Sequence, residues 1–225
     1  GNPHLRPSRD YSIGLTYIHK RKYVIRPYFN YIPHYFVQLP YQSPEKLQQE
    51  FVEQNYTYRQ VVGLMGVLPF TIGKRVSSRL VTNVMHWREK DDEFFNLSFD
   101  RKTVLGIFQM NHDITLSAKP DVKMNVSGYV STPTGIQGIY DLGASGNLAG
   151  ALTWTFDRNR TQIILKADDV LNTRTPLASI DFKGQKSTLN AFRDTRTVSL
   201  SFIYRFGGYK EKEHKQVDTS RFGTN

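Results

Sequence analysis

Cysteine is absent from the 225 residues, which excludes a disulfide-stapled fold, a thiolate metal site and a cysteine nucleophile. Long apolar runs are missing as well. The longest stretch free of charged or strongly polar side chains is residues 61–70, whereas a membrane helix needs about 20. A helical membrane protein is therefore excluded, but a β-barrel wall is not, because each of its strands needs only about 9–11 residues. The histidines at 4, 19, 34, 86, 112 and 214 show no H-E-x-x-H or comparable ligand spacing, so no zinc site is expected. Residues 143–150 fit neither a nucleophile elbow nor a phosphate-binding loop. Asp91-Asp92-Glu93 lacks the spaced ligands and turn glycine of an EF-hand and reads as a solvated acidic loop. His112 reads as a wall histidine. The chain is expected to be no enzyme and to need no cofactor.

Charge is unbalanced, with 30 Lys and Arg against 20 Asp and Glu for a net +10. The basic residues are spread along the chain and form neither a block nor a helical stripe, so nucleic acid is not an expected partner. The sequence opens Gly1-Asn2-Pro3 without an initiator Met or targeting segment, and it is read as a fragment or processed product.

What the chain does have is period-two alternation, the signature of a strand with two unlike faces. Nine segments carry it, near 10–18, 23–31, 58–68, 75–87, 103–117, 122–131, 145–157, 161–168 and 196–206. Val122, Met124, Val126 and Val130 share one face, as do Val198, Leu200, Phe202, Tyr204 and Phe206. Lys123, Asn125, Ser127, Ser199, Ser201 and Arg205 fall on the other. The segment at 58–68 is apolar on both faces. A helix is expected only from Ser43-Pro44-Glu45 through Phe51, where Ser43 suits the N-cap and Pro44 the first helical position.

Connections alternate in length. Residues 19–22, 69–74, 118–121 and 157–160 form short turns, and polar loops near 32–57, 88–102, 132–144 and 169–195 are long. In an up-and-down sheet every second connection falls on the same rim, so one rim has tight turns and the other large loops, as in outer-membrane barrels. Aromatic residues gather at both rims. Tyr17, Tyr23, Phe70, Trp154, Phe156, Tyr204 and Phe206 lie at the short-turn ends, and Tyr11, Phe29, Tyr31, Tyr58, Trp87 and Tyr129 at the long-loop ends, as expected of rings at the two lipid headgroup layers. The fold class expected is all-β, an antiparallel up-and-down transmembrane barrel wall of about nine strands from a larger barrel. The first group of valine-, leucine- and aromatic-bearing positions would then face lipid.

Three elements carry a family resemblance. Gly1-Asn2-Pro3-His4-Leu5-Arg6-Pro7 resembles the G-N-P-x-L-[KR]-P element of TonB-dependent outer-membrane receptors. Lys166-Ala167-Asp168-Asp169-Val170-Leu171-Asn172-Thr173 resembles their N-L-F-[DN]-x segment after the penultimate strand, with Asp for Asn and Val-Leu for Leu-Phe. Residues 196–206 are similar to their last strand, which ends on an aromatic residue. The charged segment beyond it resembles the Bacteroidetes branch. The resemblance implies a barrel of about 22 strands around a plug, with residues 1–206 as its C-terminal portion and 207–225 as a charged periplasmic tail. It also implies an outer-membrane location and TonB-energised uptake of a siderophore, glycan or similar small molecule. The partners it implies are lipid, the missing N-terminal strands and plug, and the TonB complex. Tyr204 and Phe206 would form the assembly signal of the terminal strand. A plug-less porin or adhesin barrel and a soluble all-β binding module are the alternatives.

Overall fold

The computed structural model of the protein describes residues 2–42, 49–92, 98–182, 185–189 and 193–206. Strands β1 (Tyr11–Gly14), β2 (Tyr17–His19), β3 (Tyr23–Gln42), β4 (Gln49–Ile72), β5 (Val76–Asp91), β6 (Phe99–Ala118) and β7 (Asp121–Ser131) follow one another. They are succeeded by β8 (Thr134–Ile136), β9 (Tyr140–Leu142), β10 (Ser145–Phe156), β11 (Thr161–Asp168), β12 (Ala178–Phe182), β13 (Gln185–Leu189) and β14 (Thr197–Tyr204). Ten of them build one antiparallel wall in the order β1-β3-β4-β5-β6-β7-β10-β11-β14, with β2 also on β3. Among the described residues, β14 pairs only with β11 and β1 only with β3, so the wall has two open edges.

The nine alternating segments all lie in this wall. The first is broken at residues 15–16 into β1 and β2, which share β3 as partner. Two of the expected long loops are mostly strand. β3 and β4 stay paired through Gln42 and Gln49, and β5 and β6 through Asp91 and Phe99. Alternation was lost there because these stretches leave the two-faced wall, so polar composition did not mean loop. β4 has 24 residues, about 80 Å at the rise of a strand, against the 9–11 or so that cross a bilayer. The helix expected over 43–51 falls largely outside the described residues, and Phe51 belongs to β4.

The turns at one rim are tight. Lys20 and Arg21 have φ of 48° and 56°, and Asp157, Arg158 and Asn159 have 50°, 52° and 67°. Lys22 N–H bonds His19 O at 3.1 Å and Arg160 N–H bonds Asp157 O at 3.0 Å. The loops between the paired residues are three and four residues long, 20–22 and 157–160.

The other two expected loops, 132–144 and 169–195, are not structureless. They contribute β8, β9, β12 and β13, a separate four-stranded sheet in the order β13-β12-β9-β8. Val37, Leu39, Tyr56, Phe99, Ile139 and Ile180 are buried together where this sheet meets the β3–β4 extension. Full burial of side chains such as Ile139 and Ile180 contributes about 1.5–3 kcal/mol each, which gives this loop sheet a core of its own.

Candidate functional site

Residues paired across an antiparallel sheet share a face, so register defines both surfaces of the wall. Val122, Trp154, Ile163 and Phe202 form one row, Met124, Leu152, Leu165 and Leu200 the next, and Val126, Gly150, Ala167 and Val198 a third. Val130 lies opposite Phe108 and Gly146 on the same face. The row continues to Tyr204, with Phe206 beyond it in T-shaped contact at 4.6 Å. This face is apolar and bare: Val198 is 76% exposed, Leu200 73% and Phe206 87%. An apolar surface of this extent on a protein in water would be an anomaly.

All seven short-turn aromatics, Tyr17, Tyr23, Phe70, Trp154, Phe156, Tyr204 and Phe206, stand on the apolar face. At the loop end Tyr11, Phe29, Tyr31 and Tyr58 do the same, but Trp87 and Tyr129 stand on the opposite one. Trp87 is covered there by the Arg59 guanidinium at 4.4 Å from its ring. Strand position alone does not give a ring's face; parity does, and both residues have the wrong parity. His112 is on the apolar face, where its Nδ1 and the buried Ser78 Oγ lie 2.7 Å apart, so the pair satisfies itself.

The opposite face is polar. Lys123, Asn125, Ser127, Ser199, Ser201 and Arg205 are on it, with Asn125 Nδ2 donating to Asp113 at 2.8 Å and Lys123 3.4 Å from Asp121. A cleft of about 710 Å³ at the short-turn end is lined by Lys74, Arg75, Asp113, Lys123, Asn125 and Arg205 among others. Higher up, the Tyr28 ring lies over Gly63, where a Cβ would come within 2.2 Å of it, and its hydroxyl donates to Asn83 at 3.0 Å. That explains why β4 is apolar on both faces: Val61, Val67 and Gly63 line a covered part of the polar side.

The polar face also receives the loop sheet. The β8–β9 hairpin lies across the inward side chains of β5 and β6. The buried Glu89 accepts Gly138 N–H at 2.7 Å, and Arg101 donates to Gly138 O at 3.3 Å and pairs with Asp141. Thr103 donates to Gly135 O at 3.0 Å and Tyr56 to Gln137 O at 2.5 Å. A Cβ at Gly135 would meet the Arg101 side chain at 2.4 Å, and one at Gly138 the Phe99 ring at 2.4 Å. Gln137 and Gly138 both have positive φ, 50° and 71°. Thr134-Gly135-Ile136-Gln137-Gly138-Ile139 thus has its glycines where close approach and the turn demand them. The two-glycine spacing was the sequence signal for this hairpin.

The elements that carried the family resemblance are structured. Asn2 Nδ2 donates to Glu53 O at 2.9 Å, and Asn55 of β4 exchanges two hydrogen bonds with the Arg6 backbone at 2.6 and 3.0 Å. After β11, Asp169 and Asn172 take positive φ of 48° and 54°, which Asp and Asn tolerate well. The Asp169 carboxylate accepts Thr173 N–H at 3.1 Å and the Thr195 hydroxyl, and Asn172 Oδ1 accepts Thr195 N–H at 3.2 Å. Asp168 accepts from Asn147 and Arg174. This motif therefore staples the segment leading into β14 to the end of β11. The tail 207–225, residues 93–97 and most of the Ser43–Phe51 stretch lie outside the described residues. Among the described residues no cluster of three or more metal-ligating side chains occurs, and no helix is long and apolar enough to cross a membrane.

Comparison with known proteins agrees with this two-faced wall. No curated protein and no solved structure matches the chain. A family model described as the outer membrane protein beta-barrel family matches residues 1–204. The match spans every strand of the wall, and the chain belongs to the outer-membrane β-barrel family, a family of the bacterial outer membrane.

Proposed function

We propose that the chain is part of the wall of a TonB-energised uptake barrel. In this reading the apolar face contacts outer-membrane lipid, the polar face lines the lumen, and the loop sheet meets a small-molecule or glycan ligand outside the cell. A plug domain gates the lumen, and the TonB complex supplies the energy.

The observation that carries this reading is the pair of open edges. In lipid, every unpaired backbone N–H or C=O costs several kcal/mol, so β1 and β14 must find further strands. Single-chain bacterial barrels also have even strand numbers. Closure therefore makes a barrel wider than nine strands, with room for cargo and plug. The order of the three resembling elements supports the receptor class within the barrel family.

Uptake of ferric siderophores and of oligosaccharides by cells with and without the protein, each with TonB intact or deleted, tests the reading. Uptake that needs both the barrel and TonB is the expected result. Uptake that needs the barrel and survives loss of TonB would make it a passive porin.

A further inference from the structure

We infer that the β8–β9 hairpin is a latched lid over the loop-side mouth of the lumen, so that a solute passing along the polar face has to displace it. The inference rests on the assignment of the polar face to the lumen and adds a moving part to it.

Three observations carry it. The hairpin lies on inward-facing side chains and not on the rim: Glu89, Arg101 and Thr103 all have the parity of the polar face. Its two glycines are seated against Arg101 and Phe99 with no room for a Cβ, so the close approach is built into the sequence. Third, the bonds toward β5 and β6 are mostly polar. Toward β5 and β6 the hairpin is held by hydrogen bonds and the Arg101–Asp141 ion pair, bonds that water can replace at modest net cost, with the Phe99 ring under Gly138 as the apolar exception. Toward the β3–β4 extension it is held by Ile139, packed with Val37, Leu39 and Ile180 of β12, and by the Tyr56 hydroxyl on Gln137 O.

The polar bonds to β5 and β6 are the latch, and the side facing the β3–β4 extension is where the hairpin stays held. The base is pinned: Thr132 and Gly106 exchange two hydrogen bonds at 2.9 Å, and Gly143 N–H bonds Leu177 O at 2.8 Å. Pro133 lies between the Thr132 pin and β8, and β9 runs directly into the Gly143 pin. Opening then consists of releasing Gly138 from Glu89, Arg101 and the Phe99 ring and Asp141 from Arg101, and swinging residues 134–142 off Thr103.

The test uses the full-length protein in the outer membrane of intact cells. These 225 residues hold no cysteine, so once any cysteine elsewhere in the full-length protein is replaced by Ser a single reporter is introduced as Asn83→Cys, on the polar face below Glu89. A membrane-impermeant maleimide added outside reads access to that position. Two variants release the lid: Glu89→Ala removes the acceptor of the latch, and exchange of residues 134–142 for a Gly-Ser linker removes the hairpin. Heat-modifiable migration confirms that each is inserted.

The lid predicts labelling at least tenfold faster in both inserted variants, with an external reporter at Leu189→Cys labelled at an unchanged rate. Equal rates at position 83 in the hairpin exchange and the parent overturn the lid. A reporter at Val126→Cys that labels as readily as one at Asn125→Cys overturns the lumen assignment instead, so the two failures are distinct.

Discussion

Arginine at Leu200 is the most informative single change. Leu200 sits on the apolar face of the terminal strand, 73% exposed, in a row with Met124, Leu152 and Leu165. With Tyr204 at the headgroup level, four residues of strand tilted by about 40° raise Leu200 by about 10 Å. The midplane of an apolar band about 25 Å tall lies about 12 Å up. A cation there costs about 2–4 kcal/mol, or about 30- to 700-fold in the ratio of folded to unfolded protein. Ser201 is one residue away on the polar face, and Ser201→Arg should cost under about 1 kcal/mol. Denaturant titration of the full-length protein in phosphatidylcholine vesicles, followed by heat-modifiable migration, measures both. Equal penalties for the two substitutions, or a smaller one at Leu200, would refute the assignment of faces.

Sidedness should follow the rims: cysteine at Leu189 of β13 should react with an impermeant label on intact cells, and cysteine at Arg158 should react only after the outer membrane is breached. Replacing Tyr204 and Phe206 by Ser should sharply lower the amount of protein in the outer membrane on immunoblots of membrane fractions, whereas deleting 207–225 should leave it unchanged. The Asp169 carboxyl is held below its ordinary range by the Thr195 hydroxyl and the Thr173 N–H, and Arg196 beside Asp194 pulls that carboxyl down to about 2. Both groups are depressed, so their contribution is complete above the unfolded carboxylate pKa of about 4 and is lost as pH falls below it. Protease resistance of residues 169–196 should accordingly be flat from pH 7 to about 5 and fall off below about 4, and Asp169→Ala should abolish it at neutral pH.

The wall was legible because each membrane-crossing strand carries its own two-faced pattern: Val122 to Val130 and Val198 to Phe206 announce their face without reference to neighbours. Turn positions were legible from loop parity, although Lys20-Arg21 and Asp157-Arg158-Asn159 are left-handed without the Asn-Gly signal of the two-residue hairpin turn. The loop sheet was not legible. Its strands are three to five residues long, too short for a period to emerge, and β12 pairs with β9 from a loop some 40 residues earlier. The extensions of β3 and β4 failed differently. Val37, Leu39 and Tyr56 are core residues, but the surrounding polar side chains face solvent above the wall and hide them. Trp87 and Tyr129 show the limit of reading aromatics by strand end alone, since a ring one position out of phase lands on the polar face.

The central claim is that the wall separates lipid from a polar lumen with a period of two residues. Spin labels placed one at a time at positions 122 to 130 of β7, in the full-length protein reconstituted in lipid vesicles, measure this directly through their collision rates with oxygen, which partitions into lipid, and with a water-soluble nickel chelate. Alternation is expected: oxygen-rich, nickel-poor environments at 122, 124, 126 and 130, and the reverse at 123, 125 and 127. Uniform access to the nickel chelate, or an alternation of opposite phase, would contradict it.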